Sequence, residues 1–159
     1  MRKHLETLSE RVSMSTTIVN TTYKNLYYLQ QPEIEVIATI TNNKQLNLFC
    51  RSMYDSSIKF RETVFALFFV GFDCIGVFQA GSGHKYETCI DFDSIARVAL
   101  LVGCEGVILC HNHPSGDTNE SKSDQRVISL LSKKLKVLGI RLAGSIILSG
   151  TDKKFKCYE

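Results

Sequence analysis

The sequence predicts one α/β domain, a mixed β-sheet flanked by helices. Three observations predict it. Short β-rich or fully apolar segments mix with two stretches of helical periodicity between residue 64 and the C-terminus. The length of 159 residues matches about one domain, long enough to bury a core without disulfides. The composition is that of an ordinary globular protein, with 44% apolar and 22% charged residues, ten glycines and two prolines. It excludes a coiled-coil rod, a collagen-like repeat and a disordered acidic tail.

The elements follow in order. Residues 1–31 are weakly patterned; Leu5, Leu8 and Val12 suit one short amphipathic helix, and the polar stretches after it are turn-prone. This part reads as an N-terminal extension or arm, free to be flexible, and the domain is expected over 32–159. Ile34 to Ile40 is β-rich, and Leu48, Arg51, Met53, Ser56 and Lys59 suit a helix. Val64 to Val70 is apolar on both faces and reads as a central strand. Cys74 to Gln79 reads as a strand closed by a Gly81-Ser82-Gly83 turn, and Tyr86 to Ile90 as another strand.

Asp93 is expected to cap a helix over 94–102 that carries Ile95, Val98, Ala99, Leu101 and Val102 and ends at Gly103. Val107 to Cys110 is a short buried strand. Ser121 should cap a helix over 122–138, with Val127, Ile128, Leu131, Leu135 and Leu138 at helical spacing and Gly139 as its stop. Ile140 to Leu148 reads as a strand, Gly150-Thr151-Asp152 as a turn, and the last residues as an edge strand.

No apolar run approaches the ~20 residues of a membrane helix. Glu6 and Glu10 interrupt any signal-peptide core after the leading basic residues, so the expectation is a soluble, cytoplasmic protein with no membrane partner. The six cysteines could form three disulfides in a secreted protein, but most lie in apolar segments and no C-x-x-C occurs. Buried free thiols are the better reading. Gly81-Ser82-Gly83-His84-Lys85 lacks the frame of a phosphate loop, and no helical pattern follows it.

The net charge of +3 is too small to imply a nucleic-acid partner by itself, but it is uneven: residues 1–121 carry −3 and residues 122–159 carry +6. Arg126, Ser129, Lys133 and Lys136 form a stripe opposite the apolar face of the 122–138 helix. The stripe is a solvated face or a DNA-contacting patch; no aromatic residue interleaves with it to stack bases.

The chemistry concentrates in Gly106 to Asp124. His111 and His113 stand two apart just past a buried strand, so both imidazoles can face one point. Pro114-Ser115-Gly116 then turns the chain away. Asp124 lies three residues after Ser121, a spacing that resembles a capping box and can aim the carboxylate back at the histidines. Two imidazoles and one carboxylate make a three-ligand set, and zinc held so keeps a fourth position for water, the catalytic arrangement. H-x-H alone is a weak signal; followed by P-S-G and S-x-x-D it is more specific. Cys110 should point to the opposite face from the histidines. His4 and His84 read as exposed residues.

The stretch HNHPSGDTNESKSD resembles the signature of the JAB/MPN metalloproteases, whose JAMM pattern is a distant Glu, then H-x-H-P, then S-x-x-D. Its wording is similar to the bacterial RadC branch, historically called DNA-repair proteins, and the resemblance covers roughly Arg61 to Leu148. It implies a JAB/MPN-like, cytidine-deaminase-like α/β fold, with one Zn2+ per chain on His111, His113 and Asp124. It further implies Glu62 as the catalytic base opening the first core strand, and Ser121 as the residue that helps hold the oxyanion. The implied activity is hydrolysis of a peptide or isopeptide bond in a protein or peptide substrate, by attack of metal-bound water. Two alternatives stand beside it: a DNA-repair-associated protein acting through DNA or partner binding, with DNA contact through the basic helix 122–138, and a domain that binds metal without turnover. The sequence departs from the RadC pattern in two places. The family's Asp-His pair falls on Ala143-Gly144, and residues 1–60 lack the glycine hairpins of a helix-hairpin-helix domain.

Overall fold

The computed structural model describes residues 35–84 and 87–159, together with two short strands ahead of them. Those two, β1 (Thr16–Thr17) and β2 (Leu29–Gln30), pair antiparallel and belong to a first unit, residues 1–35. The helix expected around Leu5, Leu8 and Val12, together with His4 and the side chain of His84, lies outside the described residues.

The second unit, residues 36–159, is a mixed β-sheet flanked by three helices. In chain order it contains β3 (Ala38–Thr39), α1 (Asn43–Ser52), a 3-10 turn (Ser56–Lys59), β4 (Glu62–Val70), β5 (Asp73–His84) and β6 (Glu87–Ile90). Then come α2 (Phe92–Val102), β7 (Gly106–His113), α3 (Lys122–Val137), β8 (Arg141–Ser149) and β9 (Phe155–Tyr158). The sheet runs β3-β5-β4-β7-β8-β9, and β6 also pairs with β5. Among the described strands only β7 and β8 pair parallel, and α3 is the crossover that parallel pairing needs.

The apolar run of β4 faces two cores, as a strand buried on both sides must. Ala66 and Phe68 join Val107, Leu109, Ile95, Leu131 and Leu135 on the side of α2 and α3. Leu67 and Phe69 join Cys110, Ile146, Leu148, Leu46 and Cys50 on the side of α1. Full burial of one such large side chain contributes ~1.5–3 kcal/mol. Gly103 and Gly139 follow α2 and α3 in the left-handed region, φ 65° and 74°, where a side chain would be strained.

The structure corrects five details. Gly81-Ser82-Gly83 is strand, not turn: it pairs with Val64, Thr63 and Glu62 of β4 on one side and with β6 on the other. The glycines sit beside a bulge in β5, where the register shifts between Val64 and Phe65, and two-sided pairing holds them extended. Asp91, not Asp93, caps α2, accepting from the Ser94 amide at 2.9 Å and the Ser94 hydroxyl at 2.6 Å. Leu101 is not a core residue of that helix; it is 82% exposed. The β-rich run before residue 41 yields only Ala38–Thr39, and the helical pattern around Leu48 stops at Ser52 before the separate turn at Ser56–Lys59.

Five cysteines, at 50, 74, 104, 110 and 157, are free thiols, and all but Cys157 are buried. No helix among the described residues is long and apolar enough to cross a membrane.

Candidate metal centre

The centre is built where β7 ends. His111 and His113 are one strand repeat apart, so their rings leave the sheet on the α3 side. Their Nε2 atoms stand 3.1 Å apart. Asp124 comes from the first turn of α3, which Ser121 caps: its hydroxyl oxygen accepts from the Asp124 amide at 3.1 Å, and Asp124 Oδ2 accepts from the Ser121 amide at 2.7 Å. That reciprocal cap fixes the carboxylate over the histidines. Oδ1 lies 3.4 Å from His111 Nε2 and Oδ2 lies 3.5 Å from His113 Nε2. Glu62, the first residue of β4, completes the group: one ligand atom from each of Glu62, His111, His113 and Asp124 falls within 4.8 Å of all the others.

Of the predicted site residues, then, the fold brings four together. Ser121 stands beside them as the helix cap, its oxygen accepting from the Asp124 amide and its side chain hydrogen-bonded to the Asp124 carboxylate. Ala143-Gly144 lies on β8, and a Cβ at Gly144 would come within 2.5 Å of the Tyr158 carbonyl oxygen. A larger residue there would have to displace β9.

The donor set suits a cation. His113 Nδ1 is 2.7 Å from the backbone carbonyl of Asp117, and a carbonyl can only accept, so Nδ1 carries a proton and Nε2 is the nitrogen that would offer a lone pair to an ion on losing the proton it shares with Asp124. A second imidazole nitrogen and a carboxylate face the same point. Three such donors with nitrogen and oxygen ligands fit a borderline divalent ion such as zinc. A small cavity of about 20 Å³ adjoins Glu62, His111, Asp124 and Ser145, room for roughly one water.

Electrostatics couple the imidazoles to the carboxylate. The hydrogen bond from His113 to Asp124 raises the His113 imidazole above its ordinary value; burial opposes this and the Asp117 carbonyl adds to it. Burial would push the Asp124 carboxyl up, but hydrogen bonds from His111, His113 and Ser121 outweigh it and hold the group well below the usual carboxylate range. Asp124 is therefore an anion ready to ligate.

Three supporting residues escaped the sequence reading. Asn112, 0% exposed, points away from the metal side and uses its whole amide. Its Oδ1 accepts from the Thr63 amide at 2.9 Å, and its Nδ2 donates to the carbonyls of Ile58 and Arg61, both at 2.8 Å. It thereby pins the backbone on either side of Glu62. Tyr54 donates to the Thr63 carbonyl at 2.8 Å and packs edge-on against Phe65. Tyr158, near the C-terminus, donates to the Thr118 carbonyl at 2.8 Å and accepts from the Glu120 amide at 3.0 Å. It ties down the loop that joins the His113-orienting carbonyl to the helix carrying Asp124. For Asn112 a signal existed: a polar side chain midway between two histidines must face the opposite, buried side of the strand.

Fold and cluster together define a JAB/MPN-type α/β domain with a candidate metal centre on one sheet face. The sequence matches the family described as "RadC-like JAB domain" over residues 40–156, more than half its length, and the chain belongs to that family. It is similar to proteins named UPF0758 in several bacteria. Against the one from Flavobacterium johnsoniae it is 30% identical over 73 residues, 46% of this chain and 32% of the relative. Against that of Carboxydothermus hydrogenoformans it is 44% identical over 54 residues, 34% of this chain and 24% of the relative. Against that of Clostridium botulinum it is 25% identical over 138 residues, 87% of this chain and 48% of the relative. The chain thus spans from about a quarter to about half the length of these curated relatives.

Proposed function

We propose that this chain is a metal-dependent hydrolase of the JAMM type that cleaves a peptide or isopeptide bond. The observation that carries the reading is the convergence of Glu62, His111, His113 and Asp124 within 4.8 Å. His111, His113 and Asp124 would hold one divalent ion, zinc by the chemistry of the donors. When bound, the ion supplies Lewis acidity, polarising a carbonyl and lowering the pKa of water. Glu62 takes a proton from the attacking water and delivers it to the leaving nitrogen, as general base and then acid. Ser121, whose side chain is held beside the Asp124 carboxylate, would turn its hydroxyl to donate to the oxyanion; losing one such donor typically costs about 10²–10³ in turnover. Asn112 and Tyr54 keep Glu62 in place by fixing the start of β4.

The test measures zinc content and cleavage of amide-linked substrates for wild type, Glu62→Gln and Asp124→Asn. Glu62→Gln should keep fold and metal while hydrolysis disappears; Asp124→Asn should lose metal first. Wild-type cleavage by Glu62→Gln would remove Glu62 from the mechanism.

A second reading, a domain that holds metal without turnover, draws on β8. Gly144 stands where RadC relatives carry part of the Asp-His pair, and β9 leaves no room there for a side chain. Metal-loaded wild type that cleaves nothing in a broad proteomic screen would favour it.

A further inference from the structure

The helical layer carries an apolar groove on its outer side that neither the core nor the metal centre uses. Its walls are α2 and α3, and its volume is about 680 Å³. Leu100 projects from α2 and is 56% exposed; Leu130 and Val137 project from α3 and are 58% and 85% exposed. Single exposed aliphatics are ordinary on a protein surface, but these three line one depression. Leu130 and Val137 are two turns apart, about 10 Å along α3. Arg97, Lys133 and Lys134 form the rim, against one acid, Asp93, which is ion-paired to Lys134.

We propose that this groove docks an acidic amphipathic helix of a partner protein. The occupant follows from shape and charge. Aliphatic side chains spaced over two turns match a helix that presents anchors at i, i+3 or i+4, and i+7. A rim with two more cations than acids favours carboxylates beside those anchors. A second copy of this chain would bring the same cationic rim against itself, which like-charge repulsion opposes. Nucleic acid would use the cations but leave Leu100, Leu130 and Val137 without a partner, since its affinity comes from phosphates. The continuation of positive charge along α3, through Arg126 and Lys136, extends the field that would steer an acidic segment toward the groove.

The experiment uses the whole chain and a fluorescein-labelled helical peptide of about four turns, with Leu at i, i+3, i+7 and i+10 and Glu at most other positions. Fluorescence anisotropy should give saturable binding that weakens with salt. Leu130→Ser with Val137→Ser, and separately Lys133→Glu, should each weaken it by about tenfold or more. These residues are exposed, so the variants should keep the wild-type circular dichroism and melting temperature. Any of four results would overturn the proposal: no saturable binding of the Glu peptide, equal binding of a Lys-for-Glu version, indifference to the Leu130/Val137 double substitution, or tighter retention on duplex DNA that ignores that substitution. Sedimentation of the free chain as a dimer that Leu130→Ser dissociates would instead give the groove to a second copy.

Discussion

Along β7, Leu109, His111 and His113 project toward α3, whereas Cys110 and Asn112 project toward α1. Both faces bury polar groups, His111 at 6% exposure and Asn112 at 0%, yet the two are satisfied in opposite ways. Asn112 meets three fixed backbone partners and leaves no donor over. The histidines meet each other and a carboxylate, with lone pairs directed at a common point. A buried polar group normally costs free energy unless it is partnered. The donors of the α3 face converge where, on the proposed function, a cation would complete them, whereas the α1 face is complete in itself.

The largest expected effect comes from removing a converging donor. His113→Ala should fold and lose zinc affinity by more than the ~10–100-fold that outer hydrogen-bond partners are worth. Isothermal titration with zinc checks it; one ion per chain at wild-type affinity would show that the ligand set is wrong.

Next comes the opposite face. Asn112→Ala leaves the Thr63 amide and two carbonyls without their side-chain partner, each buried group costing ~1–3 kcal/mol. Urea unfolding should register a loss of ~3 kcal/mol or more. A loss within the ~0.5 kcal/mol typical of surface substitutions would mean that water replaces the amide, and the contrast between the faces would fail.

The two faces also differ in how far the sequence revealed them. His111, His113, Ser121 and Asp124 of the α3 face were legible because each obeys a local rule, whereas Glu62, on another strand, was implied only by the family resemblance. Histidines two apart share a side, and Ser121 with Asp124 makes a capping box across three residues. The strands and both long helices were legible for the same reason, since periodicity and glycine stops are local. The α1 face was not. Asn112 reaches Ile58, Arg61 and Thr63, some 50 residues away; Tyr158, on the α3 side, is equally remote from Thr118 and Glu120, about 40 residues away. Nothing in the local pattern specifies those partners. Gly81-Ser82-Gly83 misled for a related reason: glycine marks turns on average, but here strands on both sides override the preference. At α2 two aspartates lay within capping reach, and the choice depended on Ser94 bonding back to Asp91 while Asp93 turned toward Lys134 of another helix.

Tyr158 supplies a smaller test. Tyr158→Phe keeps the ring and removes only the hydroxyl that bridges the Thr118 carbonyl and the Glu120 amide. The freed loop carries the Asp117 carbonyl that orients His113, so zinc affinity should fall about tenfold, the lower end for an outer partner. Stability should fall by only ~1 kcal/mol. If zinc affinity is unchanged while stability drops, the loop is held by other bonds and Tyr158 has no part in the centre.

The smallest expected effect is on Cys110, adjacent in sequence to His111 and, by residue type, an obvious rival ligand. The strand directs it away: Cys110 packs with Leu67, Cys50 and Ile146, and its sulfur is 3.7 Å from the Tyr54 hydroxyl. The hydrogen bond with Cys110, followed by burial, drives the neighbouring Cys50 thiol far above its ordinary value. Lying on the opposite face of β7, the Cys110 sulfur does not reach the point on which the two histidines and Asp124 converge. Cys110→Ala should therefore bind zinc with wild-type stoichiometry and affinity, losing only ~1 kcal/mol of stability for the small cavity left behind. The cobalt-loaded wild-type protein should likewise lack the near-ultraviolet absorption of a metal–thiolate bond. Zinc lost on Cys110→Ala, or that absorption present in wild type, would mean that both faces of β7 feed one site, and the division between them would have to be abandoned.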